Sequence, residues 1–227
     1  MPPTAHISSA AIVKFQATLV AWFAAHGRVL PWRQPGLGDY ELFMAEVLLQ
    51  RTKAENVANY YPRFLATFPT WEALDNTDRE LLEEYLRPLG LAAQRAPRIK
   101  ALAAEMVARH GKIPRERADL ESIPLVGQYI ANAIEQVIFN QPSPLLDVNM
   151  ARLLERYFGP RKLADIRYDP YLQELARRVI NHPQAKYLNW AILDFAALVC
   201  RALRPRCPGC PLNQDCSYFE LEMAHLT

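Results

Sequence analysis

Four cysteines constrain the C-terminal part of this chain more tightly than any other feature. They are its only cysteines, and Cys200, Cys207, Cys210 and Cys216 follow the spacing C-x6-C-x2-C-x5-C. In a reducing compartment, thiols clustered this closely read as metal ligands before they read as disulfides. Thiolates are soft donors that suit zinc or an iron–sulfur cluster. A four-thiolate zinc site commonly uses two close pairs. Only one such pair is present, Cys207 with Cys210, and the other two cysteines stand further out on either side. A compact loop of this kind could wrap a cuboidal cluster, and the spacing alone leaves zinc open. Arg201, Arg204 and Arg206 lie between Cys200 and Cys207 with no acid among them. By themselves they read as solvated loop charges.

The rest of the chain reads as helix. Apolar residues recur at helical spacing through 10–25, 40–51, 56–68, 92–110, 128–139, 148–158, 171–180 and 188–199, and 79–85 is helix-like and acidic. Thr77 followed by Glu80 has capping-box spacing. Pro31, Pro69, Pro88, Pro142 and Pro144 fall between periodic stretches. There is no strand alternation, internal repeat or low-complexity linker. The expected fold is all-α, with two helical lobes and a boundary in the stretch NQPSP at 140–144.

With 51 % of its 227 residues hydrophobic, the chain can bury a real core, which excludes wholesale disorder. No apolar run approaches the roughly 18–20 residues that span a bilayer. The N-terminal MPPTAHISSAAIVKFQ lacks a basic start followed by an unbroken apolar stretch. A cytoplasmic protein with no membrane partner is expected. The net charge of +2 permits nucleic-acid binding without establishing it.

Two further stretches carry chemistry. In LESIPLVGQYIA at 120–131, Pro124 closes one helical stretch and Gly127 permits a tight reversal and close approach of a ligand. A new helix begins directly afterwards. Backbone N–H groups at a helix N-terminus favour an anion, so this turn suits a DNA phosphate held without sequence preference. Further on, LLDVNMAR at 145–152 contains Asp147. The ordinary role of such an aspartate is to cap the following helix. A carboxylate at a helix N-terminus is also favoured in its ionised form. It can stabilise an oxocarbenium-like sugar and help orient water when a glycosidic bond breaks.

The cysteine loop, the hairpin and the aspartate segment together resemble the endonuclease III-like helix-hairpin-helix superfamily of DNA glycosylases, over roughly 10–219. The flanks Asp194-Phe195 and Ser217-Tyr218 resemble it too, as do LPWR at 30–33 and AEVLLQRT at 45–52. The family's usual hairpin core is LPGVG; here it is IPLVG, with Leu125 in place of the first glycine and Gly127 retained. The resemblance implies a six-helix domain with the hairpin over 29–141. It implies a second helical domain from 1–28 and 142–227, in which Cys200, Cys207, Cys210 and Cys216 hold a mainly structural 4Fe–4S cluster. Arg201, Arg204 and Arg206 would face DNA phosphates. Gly127 and Gln128 would hold the backbone at the hairpin, where a monovalent cation (potassium or sodium) also binds in the family. Asp147 takes the role required for base excision, and Asn149 supports the site or contacts DNA. Gln50 and Arg51 sit at the helix end that enters the duplex and fills the vacated space; without the resemblance they read as helix-surface polarity.

Position 129 separates mechanisms within the superfamily. Members that also cut the strand carry lysine there, whose amine forms a Schiff base. Here it is Tyr129, and a phenol forms no imine. The resemblance therefore implies a monofunctional enzyme with water as the final nucleophile. Tyrosine at this position is similar to the thymine-mismatch glycosylases, which remove thymine or uracil opposite guanine, and it would contact the extruded nucleotide. Glu46 lies where adenine-specific members keep an acid that protonates the departing base, and thymine-mismatch members have an acid there too. Adenine-mismatch enzymes usually carry a further C-terminal domain, whereas this sequence stops shortly after Cys216. The expectation is a monomeric, monofunctional glycosylase, nucleoid-associated through its partner, duplex DNA with a mismatched or damaged base. The alternatives are an adenine-mismatch glycosylase, acting on A·G or on A opposite 8-oxoguanine, and an inactive DNA-binding module on the same scaffold.

Overall fold

Capping residues and breakers divide the chain into helices at the places where backbone groups need new partners. The computed structural model describes residues 7–224, with side chains to 221. The helices are α1 (Ser9–His26), α2 (Asp39–Leu49), α3 (Ala54–Thr67), α4 (Trp71–Asp75), α5 (Arg79–Leu86), α6 (Ala92–Ala108), α7 (Arg117–Glu121), α8 (Gln128–Val137), α9 (Val148–Phe158), α10 (Pro170–Ile180), α11 (Ala185–Leu198) and α12 (Ser217–Ala224). No strand occurs among the described residues. No helix among them is long and apolar enough to cross a membrane. The expectation that the N-terminus is no leader rests partly on residues 1–6, which lie outside the described residues.

Several helix starts follow the capping rule. Ser8 Oγ accepts from Ala11 N at 3.1 Å, Thr70 Oγ1 from Ala73 N at 3.2 Å, and Asp169 Oδ1 from Leu172 N at 2.7 Å. The capping box expected from Thr77 and Glu80 is not formed. Asp78 is the N-cap of α5. Thr77 Oγ1 instead donates to the Ala73 carbonyl at 2.7 Å, so its hydroxyl is spent on the end of α4.

The chain forms two compact units. One spans Val29–Phe139, and the other combines the stretch up to Arg28 with that from Asn140. In the first unit, α2 packs on α3 and α8, while α4 and α5 pack on α6. Phe43, Met44, Tyr61, Phe64, Leu102 and Ile134 are among the side chains at its centre. In the second unit, α1 lies along α11, and α9 packs against α10, α11 and α12. Phe15 of α1 packs against Tyr157 and Phe158 of α9 with tilted rings, centroids 4.9 and 5.1 Å apart.

The end of α1 is fixed by a buried ion pair. Asp194 on α11 is fully buried. Its Oδ2 accepts from the Arg28 backbone N–H at 2.8 Å, and its Oδ1 accepts from Arg28 Nε at 2.9 Å and Nη2 at 2.8 Å. A buried carboxylate needs such a set of donors to offset its loss of water.

Candidate active site

Asp147 is held where extended chain gives way to α9. The stretch before it is anchored by Leu145 and Leu146, both buried, and by Asn189 of α11, which is fully buried. Asn189 Oδ1 accepts from Leu145 N at 2.9 Å, and its Nδ2 donates to the Ser143 carbonyl at 3.0 Å. Asp147 then caps α9: its Oδ1 accepts from the backbone N–H of Asn149 at 2.9 Å and of Met150 at 2.8 Å. Its Oδ2 accepts from Asn149 Nδ2 at 2.6 Å. The residue is only half-buried, so a firmly oriented carboxylate still reaches solvent.

Sequence reasoning missed the residue that holds Asn149. Arg152, one turn further along α9, donates from Nη1 and Nη2 to Asn149 Oδ1, both at 3.1 Å. The same guanidinium donates from Nη2 to the Ala196 carbonyl at 2.9 Å and from Nε to the Cys200 carbonyl at 3.0 Å. Asp147 is therefore joined through Asn149 and Arg152 to the start of the cysteine loop. The i,i+3 spacing of Asn149 and Arg152 was the only signal in the sequence.

The four cysteines are free thiols and line a single pocket with Leu153, Phe195 and Tyr218. Burial first, then the charges of the other three cysteines, push the Cys210 thiol up to about 11. Arg156 of α9 braces this loop: Nη1 donates to the Arg201 carbonyl at 2.8 Å and to Cys200 Sγ at 3.5 Å. Its guanidinium also lies 4.6 Å from the Tyr218 ring centroid. Among the described residues, no group of three or more His, Cys, Asp or Glu side chains is arranged to hold a single metal ion. Of the loop arginines, Arg204 and Arg206 are exposed, whereas Arg201 is half-buried and donates from Nη2 to the Arg204 carbonyl at 2.9 Å. Arg201 is thus not a freely solvated charge.

The remaining candidates belong to the unit Val29–Phe139. Glu46 lies on α2 and is buried, at 6 % exposure. Tyr129 is in the first turn of α8, half-buried and packed against the hydrophobic core. Their helices are neighbours, since α2 packs on α8. The stretch 40–51 was expected to stay helical to Arg51, but α2 ends at Leu49. Gln50 is its C-cap, and Arg51 has a left-handed φ of 54°.

The hairpin also differs from expectation. The reversal expected at Gly127 falls on Leu125, whose φ is 72°, and the Gly127 N–H donates back to the Leu125 carbonyl at 3.1 Å. Gly127 itself is the N-cap of α8 at φ −99°, a conformation open to any residue. A Cβ added there would meet nothing within 4 Å. What glycine provides at 127 is therefore an uncovered helix start, not a turn conformation. Gln128 opens α8, and Arg117 of α7 braces it. Arg117 Nη2 donates to the Gln128 carbonyl at 3.2 Å, and Nη1 to Asn132 Oδ1 at 2.7 Å and Glu135 Oε1 at 3.0 Å.

Known proteins resemble this chain in sequence and in fold. The profile of the HhH-GPD superfamily base excision DNA repair proteins matches residues 44–180. The thymine-DNA glycosylase of Aeropyrum pernix is 36 % identical over 206 residues, covering 88 % of this chain and 92 % of that protein. The thymine/uracil-DNA glycosylase of Pyrobaculum aerophilum is 36 % identical over 213 residues, covering 91 % of this chain and 92 % of that one. Among solved structures, a thermostable thymine-DNA glycosylase superposes with a TM-score of 0.86 at 28 % identity, covering 93 % of this chain and 98 % of that chain. With the profile spanning more than half its length and relatives aligned nearly end to end, this chain belongs to the HhH-GPD superfamily of base excision DNA repair proteins.

Proposed function

We propose that this DNA glycosylase excises thymine or uracil mispaired with guanine in duplex DNA, and that Asp147 carries the chemistry. The observation that carries the reading is the Asp147 carboxylate, fixed by three donors at the start of α9 yet open to solvent. The names of the two archaeal relatives support the choice of base. As the C1′–N bond breaks, the electron pair leaves with the base and positive charge develops on the deoxyribose. The Asp147 carboxylate stabilises that charge, and water adds its oxygen to C1′ and releases a proton. Asn149 keeps the carboxylate oriented. Tyr129 contacts the extruded nucleotide, and its phenol forms no imine, so the sugar–phosphate strand is left intact. A mispaired base costs less to extrude, which contributes to selectivity. Glu46 is the acid assigned to the departing base.

DNA is held through its backbone. The open N-terminus of α8 at Gly127 and Gln128 takes a phosphate, with a potassium or sodium ion at the hairpin. Gln50 and Arg51 fill the space the base leaves, and Arg201, Arg204 and Arg206 face further phosphates. Cys200, Cys207, Cys210 and Cys216 are proposed to hold a 4Fe–4S cluster. The four thiols are soft donors of the kind such a cluster takes, and they line one pocket. When bound, the cluster would act as a structural clasp. A monomer in the cytoplasm, working on nucleoid DNA, completes the reading.

The test is a panel of duplexes carrying T·G, U·G, A·G and A opposite 8-oxoguanine, analysed with and without alkali. Breaks at T·G or U·G that require alkali are expected. Release of adenine alone overturns the choice of base, and breaks without alkali overturn the monofunctional mechanism.

A further inference from the structure

The turn at Gln50–Thr52 is built in an uncommon way. Helices often end with glycine in the left-handed region just past the C-cap, because an L side chain there is strained by about 1–2 kcal/mol. Here that position is Arg51, at φ 54° and exposed. The carbonyls at the end of α2 need donors, and they find them far along the chain. The half-buried guanidinium of Arg95 on α6 donates from Nη1 to the Leu48 carbonyl at 3.1 Å. Its Nη2 donates to the Gln50 carbonyl and, at 2.6 Å, to Thr52 Oγ1. The Thr52 hydroxyl reaches in turn toward the Leu89 carbonyl at 3.3 Å, so the turn is bolted both to α6 and to the bend that precedes it. A planar fork spreads its donors over these three acceptors from two nitrogens, whereas the three donors of a lysine ammonium diverge from one.

We propose that Arg95 is a positioning residue, which holds the Gln50–Thr52 turn in the conformation that presents Gln50 and Arg51 to the duplex as the base is extruded. The proposal rests on the role given above to Gln50 and Arg51. It explains why a strained arginine occupies a place that glycine would fill without strain: the side chain is needed there, and Arg95 supplies the bonds that keep it there. A turn already in place does not have to be ordered at the moment of insertion.

The experiment uses the full chain and whichever of the T·G or U·G duplexes the wild type processes faster. Arg95→Met, Arg95→Lys, Gln50→Ala, Thr52→Val and the Arg95→Met/Gln50→Ala double variant are compared. The measurements are single-turnover excision, fluorescence of a 2-aminopurine beside the mispaired base, melting temperature and affinity for a fully paired duplex. Arg95→Met is expected to slow excision roughly 10- to 100-fold, the scale of a small misplacement near the chemistry. The 2-aminopurine signal falls with it, while affinity for paired duplex is unchanged. Arg95→Lys restores little. Thr52→Val, which removes one acceptor and keeps the turn testable if Arg95→Met folds poorly, slows excision about 2- to 10-fold. The double variant is no slower than Gln50→Ala alone, because Arg95 acts through that turn.

Wild-type rates in Arg95→Met and Thr52→Val overturn the proposal. So does a loss that multiplies with that of Gln50→Ala, or one matched by an equal loss of binding to paired duplex. Wild-type rates in Gln50→Ala overturn the assigned role of Gln50, and the proposal with it. That outcome is distinct from a slow Gln50→Ala beside an unaffected Arg95→Met, in which Arg95 alone fails.

Discussion

At the scale of single residues, the cap that Asp147 forms and the chemistry proposed for it can be separated. Asparagine caps a helix about as well as aspartate, so Asp147→Asn should leave the melting temperature nearly unchanged. It removes the negative charge proposed to face the sugar, and base release should fall by at least about 100-fold. Alkali-cleavage assays on the mispaired duplex check this, and an unchanged rate removes Asp147 from the mechanism. Gly127 separates stability from binding in a similar way. At φ −99° with open space around a new Cβ, Gly127→Ala should change stability by no more than about 0.5 kcal/mol. Its methyl group covers the helix start, so affinity for duplex DNA should drop several-fold in a binding titration. Equal affinity for the two proteins would mean that no phosphate approaches there. The cap at Asp147 was legible in the sequence, because an aspartate directly before helical periodicity is a local signal. The reversal at Leu125 was not, since nothing local marks a leucine for positive φ.

Among elements, the positions of the longer helices followed from apolar periodicity, their ends often did not, and the short α4, α7 and α12 had no periodic stretch to mark them. The stretch 40–51 keeps its pattern past Leu49, yet α2 stops there, and the Arg95 guanidinium donates to the Leu48 and Gln50 carbonyls at its end. Thr77 was read as a cap and instead closes α4. Between α1 and α11 the decisive contact is Arg28 with Asp194. Removing one partner of a buried ion pair is strongly destabilising. Asp194→Ala should therefore cost about 3–5 kcal/mol, seen as a lower denaturation midpoint. A shift under about 1 kcal/mol would mean that the end of α1 is held by packing alone.

For the whole molecule, two compact helical units come from one chain that leaves the second unit at Arg28 and returns to it at Asn140. The cysteine loop is tied to α9 by Arg152 and Arg156, so its order and that of the Asp147 segment are coupled. Protein purified without oxygen should be brown, with about four irons per chain. Removal of the iron by a chelator should lower the melting temperature. A colourless preparation loaded with zinc would overturn the cluster assignment.

By itself the sequence determined the helical class, the grouping of four thiols in one loop, the hairpin between two helices and the cap at Asp147. Each of these is written in spacings of a few residues, which local backbone geometry converts directly into structure. Only the tertiary structure decided that Arg95 bonds the end of α2 from 45 residues away, that Arg152 reaches the carbonyl of Cys200 across 48, and that Asn189 hangs the Asp147 segment on α11 across 44. The physical reason is that a guanidinium or an amide takes whichever unsatisfied carbonyl or N–H the packed helices bring within about 3 Å. Periodicity dictates that the helices pack, but not which of their polar ends meet.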